Sequence, residues 1–172
     1  MDHYTALALE AIKHFFKTKK VLIPPADLPE EMRNTRAGVF VSLHKKSNHA
    51  LRGCIGTLEP SCTNLAEEIC QNALSAAFDD PRFLPLTEKE LKDLEINVDI
   101  LSPPEPVKDK NSLNPKKYGL IVTNQHGRKG LLLPDIGIDS IDEQIAICCE
   151  KGGINPQTDK LSFFKFTTER HK

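Results

Sequence analysis

The residues of this chain whose types and spacing could do chemistry concentrate in Leu51-Arg52-Gly53-Cys54-Ile55-Gly56-Thr57. A cysteine beside a fixed cation loses its proton more readily than a free one, and the thiolate is the nucleophilic form. Arg52 stands two residues before Cys54, so on a regular strand the two side chains share a face. Gly53 and Gly56 let the backbone take positive φ or approach another group closely. Their N–H groups would then be open to an anion or oxyanion. The pattern predicts Cys54 as a nucleophile, with Arg52, Gly53 and Gly56 on the substrate side. The competing reading is packing, in which the thiol is a small buried hydrophobe and the glycines turn a strand.

A base for the thiol would have to come from His44, His49 or His126, none of which is fixed by spacing. His44 ends the preceding strand pattern and can lie across a hairpin from Cys54, which makes it the catalytic candidate. His49 falls in the turn, and His126 tips a later hairpin. Downstream, Asp80 and Arg82 in Asp79-Asp80-Pro81-Arg82-Phe83 either pair with each other or hold a substrate carboxylate or phosphate through Arg82. No metal site is expected. Cys54, Cys62 and Cys70 are eight residues apart on different elements, and Cys148-Cys149 would face different ways on a helix. Five cysteines without a Cys-x-x-Cys pair read as free thiols.

The elements that must position these groups follow from periodicity. Residues 3–19 repeat Tyr4, Leu7, Ala8, Ala11, Ile12, Phe15 and Phe16 at helical spacing. Val21 to Met32, with Pro24, Pro25 and Pro29, reads as an extended connector. Residues 37–44 and 50–55 read as a hairpin that puts Cys54 near a strand end. A helix should begin at Pro60-Ser61 and run to about Ala77, with Asn64 and Glu67 as a capping pair. Thr87 to Leu94 reads as a short helix, and Leu94 to Leu101 alternates as a half-buried strand.

Ser102-Pro103-Pro104-Glu105-Pro106 is a rigid break, so the single domain 1–172 has a candidate lobe boundary near 102–117. Beyond it lie a second hairpin (Tyr118 to Thr123, Gly130 to Leu133), a helix from the Ser140–Glu143 capping box to about Lys151, and a final strand Leu161 to Glu169. Segregated helices and strands imply α+β, with a largely antiparallel sheet flanked by helices.

Net charge is −1 with mixed signs, so the electrostatic footprint of a nucleic-acid binder is missing. Lys108, Lys110, Lys116 and Lys117 read as a solvated loop rather than a phosphate track. No apolar run is long enough to span a membrane. The start Met1-Asp2-His3-Tyr4 lacks a signal-peptide layout, which places the expected location in the cytoplasm. No cofactor is expected.

Three blocks resemble a known family. Leu51-Arg52-Gly53-Cys54-Ile55-Gly56 is similar to the signature of the AMMECR-one domain family, which includes AmmeMemoRadiSam system protein A. Asp80-Pro81-Arg82-Phe83-x-Pro85 and Gly130-Leu131-Leu132-Leu133-Pro134 follow in the same order, and the likeness runs from about Tyr4 to Phe166. It implies two unequal lobes with the signature in a cleft between them, and partnership with Memo-like and radical-SAM proteins. It brings no established reaction. The chain departs from the family in having no tryptophan, and in Lys151-Gly152-Gly153 where Lys-Ala-Gly is usual.

Three functions are compatible with these residues. The first is a small-molecule enzyme using Cys54, with Arg52 and the glycine backbone stabilising negative charge. The second is a non-catalytic binding module for a protein partner or small anionic ligand, in which the arginines matter more than the sulfur. The third is a purely structural knot.

Overall fold

The computed structural model of the chain describes residues 2–172. The chain forms two compact units, one running up to Leu101 and completed by Glu169–Lys172, the other Ser102–Thr168. Each has its own four-stranded, largely antiparallel sheet and its own apolar core. The architecture is α+β.

The first unit is built on α1 (His3–Thr18), α2 (Glu30–Asn34), β1 (Val39–Lys45), β2 (Leu51–Thr57), α3 (Leu65–Phe78), β3 (Leu94–Leu101) and β8 (Thr168–His171). Its sheet has the order β2-β1-β3-β8, which leaves β2 on an edge. Alternation sends Val39, Val41 and Leu43 of β1, with Leu94, Ile96 and Val98 of β3, into a core shared with α1 and α3. Phe40, Ser42 and His44 therefore point to the opposite face, opposite Asp99, Asn97 and Glu95 of β3. The helical stripe expected in α1 is the buried one: Leu7, Ala8, Ala11 and Ile12 are all in the core.

Four boundaries differ from the sequence reading. The connector after α1 is extended only as far as Pro29, because Glu30–Asn34 turns into a helix and buries Met32. β2 continues to Thr57, so Cys54 lies in mid-strand rather than near an end. α3 begins at Leu65, where the Asn64 side chain accepts from Glu67 N at 3.0 Å, and Pro60 to Thr63 form a loop instead. That loop is gathered by the buried Glu68, whose carboxylate accepts from Ser61 N at 2.8 Å, Cys62 N at 2.7 Å and the Thr57 hydroxyl. Finally, the expected last strand is two. β7 (Leu161–Phe166) stops before Thr167, and β8 joins the first unit's sheet.

The second unit contains β4 (Glu105–Val107), β5 (Gly119–Asn124), β6 (Lys129–Leu132), α4 (Ile141–Gly152) and β7, in the sheet order β4-β7-β5-β6. The Pro-rich break thus includes a short edge strand. α4 packs on β5 and β6, enclosing Leu120, Val122, Leu132, Ile145, Cys148 and Cys149. Ser140 caps α4 as expected, and Gly153 in the left-handed region closes it.

Candidate functional site

All the candidate residues of the signature and of the Asp80–Arg82 block lie in the first unit, and the structure brings most of them together along β2. The register is what decides their partners. Counted straight back from the His44–Leu51 pair, Val41 would face Cys54. The ladder instead slips between Leu43 and His44, leaving Arg52 as an extra residue and setting Ser42 opposite Cys54. The Ser42 hydroxyl donates to Cys54 Sγ at 3.1 Å. His44, expected across the hairpin from the thiol, pairs with Leu51, and its Nδ1 lies 3.3 Å from the His49 carbonyl oxygen. His49 takes φ +56° and pairs with Glu95 at 3.2 Å. His126 belongs to the second unit.

The bulge also redirects Arg52. Bulges break strict alternation, and the guanidinium goes to Glu90 rather than to the sulfur. Nε donates to Glu90 Oε1 at 2.7 Å, and Nη2 to Oε2 at 3.2 Å and to the Pro85 carbonyl at 3.4 Å. Only 9% of Arg52 is exposed, so this is a buried, two-pronged ion pair. Arg52 holds Glu90 down to about 2, against the desolvation that would raise it.

Asp80 and Arg82 do pair with each other, and the pair is laid along the open edge of β2. In an antiparallel ladder, alternate residues of an edge strand turn N–H and C=O outward. Cys54 is one of these. Its N–H donates to Asp80 Oδ2 at 2.8 Å, and its carbonyl accepts from Arg82 Nη2 at 3.3 Å. Arg82 closes the ring through Nε to Asp80 Oδ1 at 3.0 Å and Nη2 to Oδ2 at 2.8 Å. Two side chains thus imitate the neighbouring strand that β2 lacks. The Arg82 hydrogen bonds hold the Asp80 carboxyl well below the usual carboxylate range, outweighing its burial. The aspartate side chain is 3% exposed and the arginine 56%, so the pair shows solvent its cationic half. Both arginines approach the Phe83 ring, whose centre is 5.9 Å from the Arg52 guanidinium carbon and 5.6 Å from that of Arg82.

The glycines serve close approach. A Cβ on Gly53 would collide with the Ala76 carbonyl oxygen of α3, and one on Gly56 with the Phe40 ring across the ladder. Neither has positive φ. Gly53 pairs with Leu43, one residue out of phase with Cys54, so its N–H belongs to the ladder and is not an anion donor. Gly56 is in phase with Cys54 and turns its N–H to the edge.

These surroundings set the thiol. Burial pushes the Cys54 pKa up; the Ser42 hydrogen bond and Arg82 pull it down, and Asp99 and Asp80 oppose them, with a net rise. Arg52, which the sequence sets beside the thiol, is instead paired with Glu90 and is not among the groups that lower the Cys54 pKa. Ser42, Glu90 and Asp99 were not among the sequence candidates. Asp99 is 1% exposed on the same sheet face and is held by Arg170 Nε at 2.7 Å. The Thr87–Glu90 capping box was the available signal for Glu90. For Ser42 there was none, because a bulge is not visible in residue types.

Comparison with known proteins bears on the family and the fold. The AMMECR1 family model matches residues 5–171. A Thermotoga maritima protein is 49% identical over 98% of this chain and 97% of its own. A Clostridium acetobutylicum protein is 44% identical over 99% of this chain, which spans only 36% of that longer relative. The crystal structure of an uncharacterised Pyrococcus horikoshii protein superposes with a TM-score of 0.87 at 35% identity, over 97% of this chain and 88% of that one. With the signature strand, the Asp80–Arg82 brace and the match along nearly its whole length in agreement, the chain belongs to the AMMECR1 domain family.

Proposed function

We propose that this domain is a binding module, recognising an anionic group of a small ligand or partner protein at the braced β2 edge, rather than a thiol enzyme. The observation that carries this reading is the disposition of Arg82. Its guanidinium is fixed from two sides, by Asp80 and by the Cys54 carbonyl, yet more than half its side chain is exposed. A preorganised, accessible planar donor of this kind suits carboxylate or phosphate groups and loses little entropy on binding. Cys54, held as a neutral thiol, then shapes the site without reacting.

Partnership with Memo-like and radical-SAM proteins fits this reading. In the Clostridium acetobutylicum relative the matching region is about a third of the chain, so there the domain sits beside further polypeptide. The test is direct titration of a Memo-like protein into the full chain, by calorimetry, for wild type, Cys54→Ser and Arg82→Gln. Cys54→Ser should bind within about twofold of wild type, and Arg82→Gln about tenfold or more weakly, the effect of losing one charge-assisted contact. Loss of binding in Cys54→Ser with Arg82→Gln unaffected would overturn the reading.

The enzyme reading rests on two influences that favour the thiolate, the Ser42 hydroxyl at 3.1 Å from the sulfur and the charge of Arg82. Asp80 and Asp99 act against it.

A further inference from the structure

A separate surface lies on the second unit, independent of the Cys54 site. On β7, alternation puts Phe163 and Lys165 on the face that Val122 and Leu120 of β5 turn into the core, both half-buried at its margin. Lys165 Nζ sits 4.6 Å from the centre of the Tyr118 ring, Lys117 Nζ 5.1 Å from the same ring, and Lys110 Nζ 5.4 Å from the Phe163 ring. Glu105 stands directly opposite Lys165 in the β4–β7 ladder, yet the ammonium lies over the tyrosine instead. Among the described residues, none of these three lysines is within ion-pair distance of a carboxylate. Their neighbour Lys116 is neutralised by Asp139 at 2.8 Å, and Asp109 is turned to the Asn111 N–H. Tyr118 is itself fixed, since the buried Gln144 donates to its carbonyl at 2.9 Å.

Aromatic faces position an ammonium group but do not neutralise it. Three oriented, unpaired positive charges therefore gather on two rings, in a chain whose net charge is −1. We infer that the basic rim formed by Lys110, Lys117 and Lys165 docks an acidic segment of a partner protein, its carboxylates meeting the lysines held on Phe163 and Tyr118. The loop that reads in the sequence as merely solvated is half of this surface; Tyr118, Phe163 and Lys165 supply the rest. The near-neutral balance of the whole chain argues for a peptide over nucleic acid, which requires a broader basic field.

The test uses the full chain and an alternating Glu-Ser hexapeptide. With no tryptophan and only Tyr4 and Tyr118, tyrosine fluorescence and amide NMR shifts report the site directly. The expected result is shifts centred on Tyr118, Phe163 and Lys165, with affinity falling about tenfold between 50 and 200 mM salt. A Lys117→Glu, Lys165→Glu double variant with unchanged melting temperature should lose binding about tenfold or more. Absence of shifts at these residues would overturn the inference. So would equal binding of inorganic phosphate, which marks a simple anion site, or of a thymidine hexanucleotide, which marks a nucleic-acid face.

Discussion

Glu90 shows how much one side chain does for the β2 edge. It receives two hydrogen bonds from the nearly buried Arg52 and also bonds the Thr87 N–H and hydroxyl at 2.8 Å each. Because its pKa is lowered to about 2 in the fold, its contribution is fully present above the unfolded carboxyl value of about 4.3 and is lost as pH falls toward 2. Glu90→Gln keeps the shape and removes the charge, which should cost about 1–3 kcal/mol at pH 7. Urea midpoints of wild type and variant should converge as pH falls from 6 to 2. A constant gap across that range would mean that the pair contributes through shape alone. At this scale the sequence was legible in type but not in pairing. Arg52, Asp80 and Arg82 were recognisable as the site's charges, and the Asp80–Arg82 pair was one of two readings. The partner of Arg52 lies 38 residues away, across a loop whose path no local pattern fixes.

Elements were more legible than contacts. The stripe of α1, the alternation of β3 and the Asn64 and Ser140 caps could be read because propensity, period and capping chemistry agree there. The bulge at Arg52 could not, since it is set by how β2 lies on α3 and β1 rather than by residue type. Gly53 records that constraint. Gly53→Ala would press a Cβ into the Ala76 carbonyl, a helix backbone atom that cannot rotate aside. The expected cost is about 1–3 kcal/mol, as for an overpacked core. The same variant should weaken amide-exchange protection along β2 and the C-terminal half of α3. Unchanged stability would show that strand and helix can separate at no cost.

Across the whole molecule, chemistry and chain order part company. The first unit holds the signature strand and also takes the final residues Glu169–Lys172, so β8 and the Asp99–Arg170 pair finish its sheet only after the second unit has been threaded. That return was hidden in the sequence because Leu161 to Glu169 looks like one strand; the division at Thr167 is decided by which sheet each half joins. The five cysteines are spread over both units and all are free. Burial pushes Cys70 and Cys148 up to about 12 and raises Cys54, Cys62 and Cys149 as well.

The central claim is that Cys54 is a braced neutral thiol, and site-resolved iodoacetamide alkylation of the native chain against pH tests it most directly. Cys54 should react slowly, no faster than the half-exposed Cys62, with a midpoint above the free-thiol value of about 8.5. If Cys54 were instead the fastest of the five, with a midpoint well below that value, it would be an activated nucleophile and the binding-module account would be wrong.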